Sequence, residues 1–307
     1  MAAAFGLEDH LAWEARQRTS ATIAAALAAV FTFVGSVWRQ LALADAPESG
    51  LMESLSRAIQ PGPTGELESL RVASLEYYDD RAISVLLSSV MVGIGFIALG
   101  WAVTYLAVAT RARRPEFPRL LVYLPLVAGA LQGISYVLAP LGVQVAIAEF
   151  LDGPRTIDAA DEIATNGLTV FAQLLGLPGA LGLALALVFV GLNGMRVGLL
   201  TRFMGVLGMI SGVLLIIQLT AQPIVLTFWL LMLAVLLAGR WPGGSPPAWR
   251  TGNAEPWPSS AQVREQRARV SAEGRGEVYE PPAAEPEPVA AGPSPSTSAR
   301  KRKRKRR

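Results

Sequence analysis

The stretch Ile83-Ser-Val-Leu-Leu-Ser-Ser-Val-Met-Val-Gly-Ile-Gly-Phe-Ile-Ala-Leu-Gly-Trp-Ala-Val-Thr-Tyr-Leu-Ala-Val-Ala109 decides the fold class of this chain. Its 27 residues include no charged side chain, and a bilayer core about 30 Å thick needs only about 20 apolar residues in a helix to cross it. Five more stretches are apolar and uncharged in their central portions: 21–43, 120–146, 167–192, 203–220 and 224–239. The sequence therefore predicts an all-α, polytopic six-helix transmembrane bundle over residues 20–240.

The last two apolar stretches are short individually, but together they are too long for one helix at ordinary tilt. Gln222-Pro223 offers a break between them, because a proline ends the preceding helix. Two short helices joined by residues 221–223 are the favoured interpretation. A re-entrant pair is the alternative.

The charges of the loops predict the orientation. Loop 109–119 carries four arginines against one acid, Glu116, and loop 193–202 carries two arginines and no acid. Loops 39–82 and 147–166 together carry five arginines and thirteen acids. Since cytoplasmic loops are rich in Lys and Arg, we expect a cell-membrane protein with residues 1–19 and the C-terminus in the cytoplasm.

A cleaved signal peptide is an alternative for the first segment, because Ala42-Leu43-Ala44 resembles a cleavage site. The polar region before that segment is long and contains acidic residues, among them Glu14, and Arg39 precedes the cleavage site. These features favour a retained helix. Cleavage would leave five helices.

Two regions outside the predicted membrane segments are long. The external loop 44–82 has apolar residues at helical spacing on both sides of Pro61-Gly62-Pro63, which predicts a helical hairpin on the outer face. Residues 241–307 hold 11 of the 21 prolines, and such a composition predicts a disordered cytoplasmic tail.

The tail ends in a polybasic run of eight consecutive cations. Residues 240–307 have a net charge of +7 and residues 1–239 one of −4, so the pI near 9.4 belongs to the tail. Next to the cytoplasmic leaflet, these cations favour anionic lipid headgroups. The alternatives are a solvated charged end, an acidic protein, or nonspecific contact with nucleic acid. The predicted binding residues are Arg300, Lys301, Arg302, Lys303, Arg304, Lys305, Arg306 and Arg307.

Within the predicted segments, only neutral polar and small residues are candidates for a functional role. Gln132 and Gln173 are expected to point inward, where they join helices or contact a solute. Pro178-Gly179 is expected to break the fourth segment at a helix contact or on a solute path. Small residues also predict close helix packing, within the bundle or in a homodimer, at Gly205, Gly208 and Gly212.

Catalysis has little support in this composition. The chain has no cysteine and one histidine, His10, so we predict no catalytic, cofactor-binding or metal-binding residue. The acidic residues of loop 147–166 lack the spacing of a calcium loop and are expected to be solvated. The predicted function is a non-enzymatic scaffold or interaction protein. A transporter or channel-like protein for a neutral or apolar solute is the alternative, and a membrane enzyme is a weaker second alternative.

The late part of the chain resembles a known group of proteins. Residues Gly191-Leu-Asn-Gly-Met-Arg-Val-Gly-Leu-Leu-Thr-Arg202 place a short arginine-containing turn before a glycine-rich helix. Gly239-Arg-Trp-Pro-Gly-Gly244 then opens the proline-rich tail. Over about residues 185–260 this pattern resembles uncharacterised actinobacterial multi-pass integral membrane proteins with a domain of unknown function. The resemblance implies a six-helix membrane domain and transfers no catalytic residue.

Overall fold

Helices form almost all of the secondary structure that the computed structural model describes, which covers residues 7–47, 64–217, 223–242, 244 and 246–255. These residues all lie within one compact unit, Met1–Trp257. The α-helices are α1 (Leu7–Ala42), α2 (Val72–Asp80), α3 (Ala82–Arg113), α4 (Leu120–Asp152), α5 (Ile157–Thr165), α6 (Gly167–Arg196), α7 (Arg202–Ile216), α8 (Ile224–Leu237) and α9 (Ala248–Thr251). In the described ranges, Glu68 and Thr156 form the one isolated β-bridge.

Four of the described helical stretches are long and apolar enough to cross a membrane: His10–Ala42, Ala82–Arg113, Leu120–Asp152 and Ile157–Arg196. Only 39–44% of each apolar window is buried inside the protein. The rest is apolar surface far larger than a water-soluble monomer exposes, which fits a multi-pass membrane protein. The helices α7 and α8 are also apolar, but their 15 and 14 residues give lengths of only about 20 Å.

Six helices close into a ring. α1 packs on α3, α3 on α4, α4 on α6, α6 on α7 and α7 on α8, and α8 returns to α1. α3 and α6 also touch across the middle of this ring. The helices of the ring follow one another in chain order, and short connections join α3 to α4, α6 to α7 and α7 to α8. Residues 43–81, which include α2, separate α1 from α3.

Small residues allow the helix backbones to approach closely, as is usual in membrane bundles. The buried face of α1 consists largely of alanines: Ala21, Ala24, Ala25, Ala28 and Ala29. Between α3 and α4, Gly93 faces Gly133 and Gly100 faces Gly129. A Cβ on Gly100 would lie 2.6 Å from the carbonyl oxygen of Pro125, so a larger side chain would force these two helices apart.

The two ends of the ring carry opposite net charge among the described residues, because arginines outnumber acids at one end and acids outnumber arginines at the other. We call the end where α1, α4 and α7 begin the basic end, and the end where α1 and α4 finish the acidic end. The basic end carries Arg16, Arg18, Arg111, Arg113, Arg114, Arg119, Arg196, Arg202, Arg240 and Arg250. The acidic end carries Asp45, Glu66, Glu68, Glu76, Asp79, Asp80, Glu149, Asp152, Asp158, Asp161 and Glu162. This separation is the one that the positive-inside rule describes.

At the acidic end, α2 and α5 pack on the bundle through a small apolar cluster. Its larger members are Leu75 of α2, Ile147 and Phe150 of α4, and Ile163 of α5. α2 lies in the second limb of the hairpin predicted for loop 44–82, and residues 48–63 of the first limb lie outside the described residues.

Two expectations from the sequence differ from the structure. α6 continues without a break from Gly167 to Arg196, so Pro178 does not divide it. A bundle tolerates such a proline because neighbouring groups satisfy the freed backbone. The expectation of a disordered tail starting at residue 241 is wrong for residues 246–255, which include α9 and fold against the basic end. Residues 256–307 lie outside the described residues.

Candidate functional site

A buried ion pair stands at the basic end. The guanidinium of Arg113, near the end of α3, donates to both carboxylate oxygens of Glu14 in α1, at 2.5 and 2.9 Å. It also donates to the carbonyl oxygen of Ala248 from two of its nitrogens, at 3.1 and 2.7 Å, and to that of Ala109 at 3.0 Å. The two side chains are 0% and 6% exposed. Further hydrogen bonds offset the cost of burying a charge, and Arg113 makes them to the carbonyl oxygens of Ala248 and Ala109.

Trp249 fixes the segment 246–255, which we call the latch, to this ion pair. Its indole ring is stacked on Tyr105, with centroids 5.8 Å apart and planes 5° apart. The guanidinium carbons of Arg18 and Arg113 lie 5.6 and 5.4 Å from the ring, within cation–π range. The indole N–H donates to the carbonyl oxygen of Leu199 at 3.0 Å. A single tryptophan therefore contacts groups from α1, α3 and the turn between α6 and α7.

Further hydrogen bonds join the chain segments at this end. Arg18 donates from Nε to the carbonyl oxygen of Leu237, at the end of α8, at 2.6 Å. The backbone N–H of Glu255 donates to the carbonyl oxygen of Val197 at 3.2 Å. The start of α1 and the latch therefore lie at the same end of the bundle. These contacts hold whether or not α7 and α8 cross the membrane completely.

A second candidate site lies inside the ring. A cavity of about 420 Å³ is lined by residues of α1, α3, α4, α6, α7 and the start of α8. Gln132 of α4 and Ser211 of α7 are among its polar lining groups. We call it the central cavity. The cavity is compatible with the solute path predicted from the sequence. The transporter or channel-like function stays a prediction.

The residues predicted for a solute path do not all lie together. Gln132 is buried, whereas Gln173, for which the sequence predicts an inward orientation, is exposed. Both line a neighbouring cavity of about 570 Å³. Gly179 packs against the backbone of Gln132, where a Cβ would lie 2.7 Å from the amide nitrogen, whereas Pro178 is exposed.

The three glycines predicted for helix packing lie at contacts within the bundle. A Cβ on Gly205 would lie 2.9 Å from the carbonyl oxygen of Gly191, and one on Gly212 would lie 2.7 Å from that of Ala184, both in α6. Gly208 instead faces the indole of Trp229 in α8, whose N–H donates to the carbonyl oxygen of Met204 at 2.9 Å. The glycine-bearing faces of α7 are therefore packed against α6 and α8 of the same chain.

The acidic residues of loop 147–166 are exposed in the structure. Thr156 caps α5 by accepting from the backbone N–H of Ala159 at 3.3 Å, and Arg155 pairs with Glu76 at 2.9 Å. Among the described residues, no group of three or more His, Cys, Asp and Glu side chains is placed to hold a metal ion.

The predicted polybasic residues, Arg300 to Arg307, lie outside the described residues. Sequence reasoning missed the ion pair and the latch. One signal was present: Trp249 is one of three tryptophans in the proline-rich stretch 241–257. Glu14 was a second, because it is an acid close to the start of an apolar segment.

Comparison with known proteins gives no assignment: no protein-family model, curated protein or solved structure matches the sequence. The resemblance to actinobacterial membrane proteins therefore stays a prediction.

Proposed function

We propose that this chain is a multi-pass protein of the cell membrane that holds a polybasic tail at the cytoplasmic surface, where the tail binds anionic lipid headgroups. Six helices form the membrane domain, with both termini in the cytoplasm. The protein acts as a scaffold or interaction protein, not as an enzyme.

The observation that carries this proposal is the latch. Trp249 and the backbone at Ala248 attach the start of the tail to Arg113 and Arg18, next to the arginines of the basic end. If the basic end faces the cytoplasm, as the charge separation favours, the tail leaves the bundle at the surface of the anionic leaflet.

The length of the tail keeps its cations close to that surface. The polybasic run begins 45 residues after Glu255, so a fully extended chain carries it no farther than about 160 Å. Tethering of this kind raises the effective concentration of a weak binding segment at its target. Each cation near an anionic surface contributes about 1 kcal/mol, so eight cations suffice for stable attachment.

The test uses the full chain in nanodiscs of phosphatidylcholine, mixed with vesicles that contain or lack phosphatidylglycerol. We expect co-flotation only with the anionic vesicles, and weaker binding as salt is added. The double variant Arg306→Gln/Arg307→Gln removes about 2 kcal/mol and lowers the affinity roughly 30-fold.

The matched control replaces Lys301, Lys303 and Lys305 by arginine, which keeps every charge and leaves vesicle affinity within about twofold, as expected for binding by charge alone. Equal binding to neutral vesicles, or full binding by the glutamine variant, would overturn the proposal. The partner of the tail would then be sought among acidic proteins and nucleic acids.

A further inference from the structure

The helix α8 is too short to line α1 over its whole length. Arg18 of α1 donates to the carbonyl oxygen of Leu237, so the two helices are level at the basic end. From there α8 runs for 14 residues, about 20 Å, whereas α1 continues to Ala42, about 36 Å away. About 15 Å of α1 therefore extends past the start of α8, toward the acidic end.

The helix α6 extends past α7 in the same way. The glycine contacts between α6 and α7 run in opposite chain directions, and Gly212 lies against Ala184. α7 ends at Ile216, whereas α6 begins at Gly167, so about 20 Å of α6 lies beyond the end of α7. In the part of the chain that the structure describes, the ring is therefore open between α1 and α6 on the side of the acidic end.

The central cavity lies at the base of this opening. Its wall includes Ile217 and Ile224, at the adjacent ends of α7 and α8, and Thr32 and Ser36 of α1. Its described lining residues are uncharged and mostly apolar. The hydroxyls of Thr32 and Ser36 donate to carbonyl oxygens within α1, both at 2.6 Å, so they are already satisfied. The α1 wall therefore suits an apolar occupant.

A second cavity continues from the first toward the acidic end. It has a volume of about 400 Å³, shares Ser36, Val92 and Tyr136 with the central cavity, and extends to Arg39. We call it the Arg39 cavity. Among the described residues, no acid lines either cavity. The two cavities together therefore have an apolar inner part and a cation at the outer part.

A third cavity opens this space sideways. It is the neighbouring cavity of about 570 Å³, which shares Gln132, Ala180 and Leu215 with the central cavity. Leu174 and Leu177 of α6 also line it, and both are exposed apolar residues. It therefore opens toward the side of the bundle that a bilayer would cover, and we call it the side cavity.

The depth of Arg39 matches that of lipid headgroups. It is partly buried and directly follows Trp38, which is 38% exposed, and exposed tryptophans of membrane helices gather at the interface with water. Thr32 lies one-sided seven residues earlier in α1, about 10 Å deeper. Half of a bilayer core is about 15 Å thick. The path from Arg39 to the central cavity therefore stays within one leaflet.

We propose that these cavities bind one phospholipid of the surrounding bilayer, with its phosphate at Arg39 and one acyl chain in the central cavity. A guanidinium forms strong, charge-assisted hydrogen bonds with a phosphate. The headgroup stays at Arg39, because a charged group in the central cavity would lose its hydration without gaining a partner. The lipid enters through the side cavity, already at the right depth. This site lies at the opposite end from the latch and goes beyond the function proposed above.

The test titrates the full chain, freed of lipid in detergent, with dioleoyl phosphatidylcholine and counts bound lipids by native mass spectrometry. This lipid carries a phosphate but no net charge, so a tail that binds anionic lipid does not hold it. We expect one molecule per chain to bind saturably. Dioleoylglycerol, which has the same chains and no phosphate, should bind about tenfold more weakly because it loses a charged hydrogen bond.

A pair of arginine variants tests the headgroup contact. Arg39→Gln should weaken phosphatidylcholine about tenfold and leave dioleoylglycerol within about twofold, because only the contact with the phosphate is lost. Arg71→Gln is the matched control. Arg71 is an exposed arginine of the acidic end that lines none of the three cavities, so its affinity for phosphatidylcholine should stay within about twofold.

A pair of phenylalanine variants tests the chain site. Ala180 lines both the central and the side cavity, so Ala180→Phe should fill them and weaken both lipids at least about tenfold. The control is Val213→Phe, because Val213 is 47% exposed and lines none of the three cavities. It should bind both lipids as the wild type does. The thermal unfolding temperatures of the two lipid-free variants should agree.

Three results would overturn the proposal. The first is the absence of a saturable, one-to-one complex with phosphatidylcholine. The second is equal affinity for phosphatidylcholine and dioleoylglycerol. The third is an equal loss of affinity in Arg39→Gln and Arg71→Gln, which would make the effect one of overall charge. A tail that failed to bind anionic vesicles would change none of these measurements.

Discussion

Replacement of Trp249 by alanine should release the latch from the bundle. The indole is 7% exposed, and truncating a buried tryptophan costs about 3–5 kcal/mol. The variant also loses the hydrogen bond to Leu199 and the contacts with Arg18 and Arg113. Because the latch follows α8, the last helix of the ring, this loss should open the latch locally and leave the membrane helices folded.

Trypsin cleavage after Arg250 measures that opening. Arg250 lies in α9, inside the latch, and a protease cuts such a site in proportion to the population of its open form. A loss of 3 kcal/mol raises this population about 150-fold, up to the limit of a fully open segment. The assay follows the cleaved product by mass spectrometry, with the full chain in nanodiscs.

Trp249→Phe is the graded control. Phenylalanine keeps an aromatic ring against Tyr105 but has no N–H to donate to Leu199, so it loses about 1 kcal/mol and should be cut roughly fivefold faster than the wild type. A rate for Trp249→Ala within twofold of the wild-type rate would refute the reasoning, because the tail would then not be held by its indole.

Two predictions concern the stability of the bundle, measured by thermal unfolding in detergent. Arg113→Met leaves the buried carboxylate of Glu14 without a partner and should cost about 3–5 kcal/mol. The double variant Glu14→Leu/Arg113→Met removes both charges and should recover most of that loss. Equal unfolding temperatures for the single and double variants would argue against the ion pair. Gly100→Leu forces a side chain against the carbonyl of Pro125 and should cost at least about 1–3 kcal/mol. The control is Gly167→Ala, whose Cβ meets nothing within 4 Å and which should therefore leave the stability unchanged. An unchanged stability in Gly100→Leu would contradict the close packing of α3 and α4.

The positions of the helices could be predicted well from the sequence, because apolar length is a strong signal. The stretch 83–109 became α3, Ala82–Arg113, and the break at residue 223 separates α7 from α8. Four membrane-crossing helices follow from length and composition. Length and composition do not establish that α7 and α8 each cross the membrane, because helices of about 20 Å are shorter than a bilayer core.

The sites were harder to predict, because each depends on residues far apart in the chain. Glu14 and Arg113 are separated by 99 residues, and Arg113 and Ala248 by 135. The proline content of the tail predicts that it cannot form a core of its own. It does not show that Trp249 packs against Tyr105 and two arginines of the bundle. Gln132 was expected inside the bundle and is buried, but no sequence pattern reveals that its side-chain oxygen has no hydrogen-bond partner in the part of the chain that the structure describes.

The orientation of the charged ends tests the account most directly. The chain has no cysteine, so single cysteines introduced at Glu116 and Asp161 report on one position each, and both residues are exposed. The measurement is labelling with a membrane-impermeant maleimide in intact cells and after permeabilisation. We predict that Asp161→Cys is labelled in intact cells and that Glu116→Cys is labelled only after permeabilisation. Labelling of Glu116→Cys in intact cells would contradict the account, because it would place the basic end and its latch outside the cell.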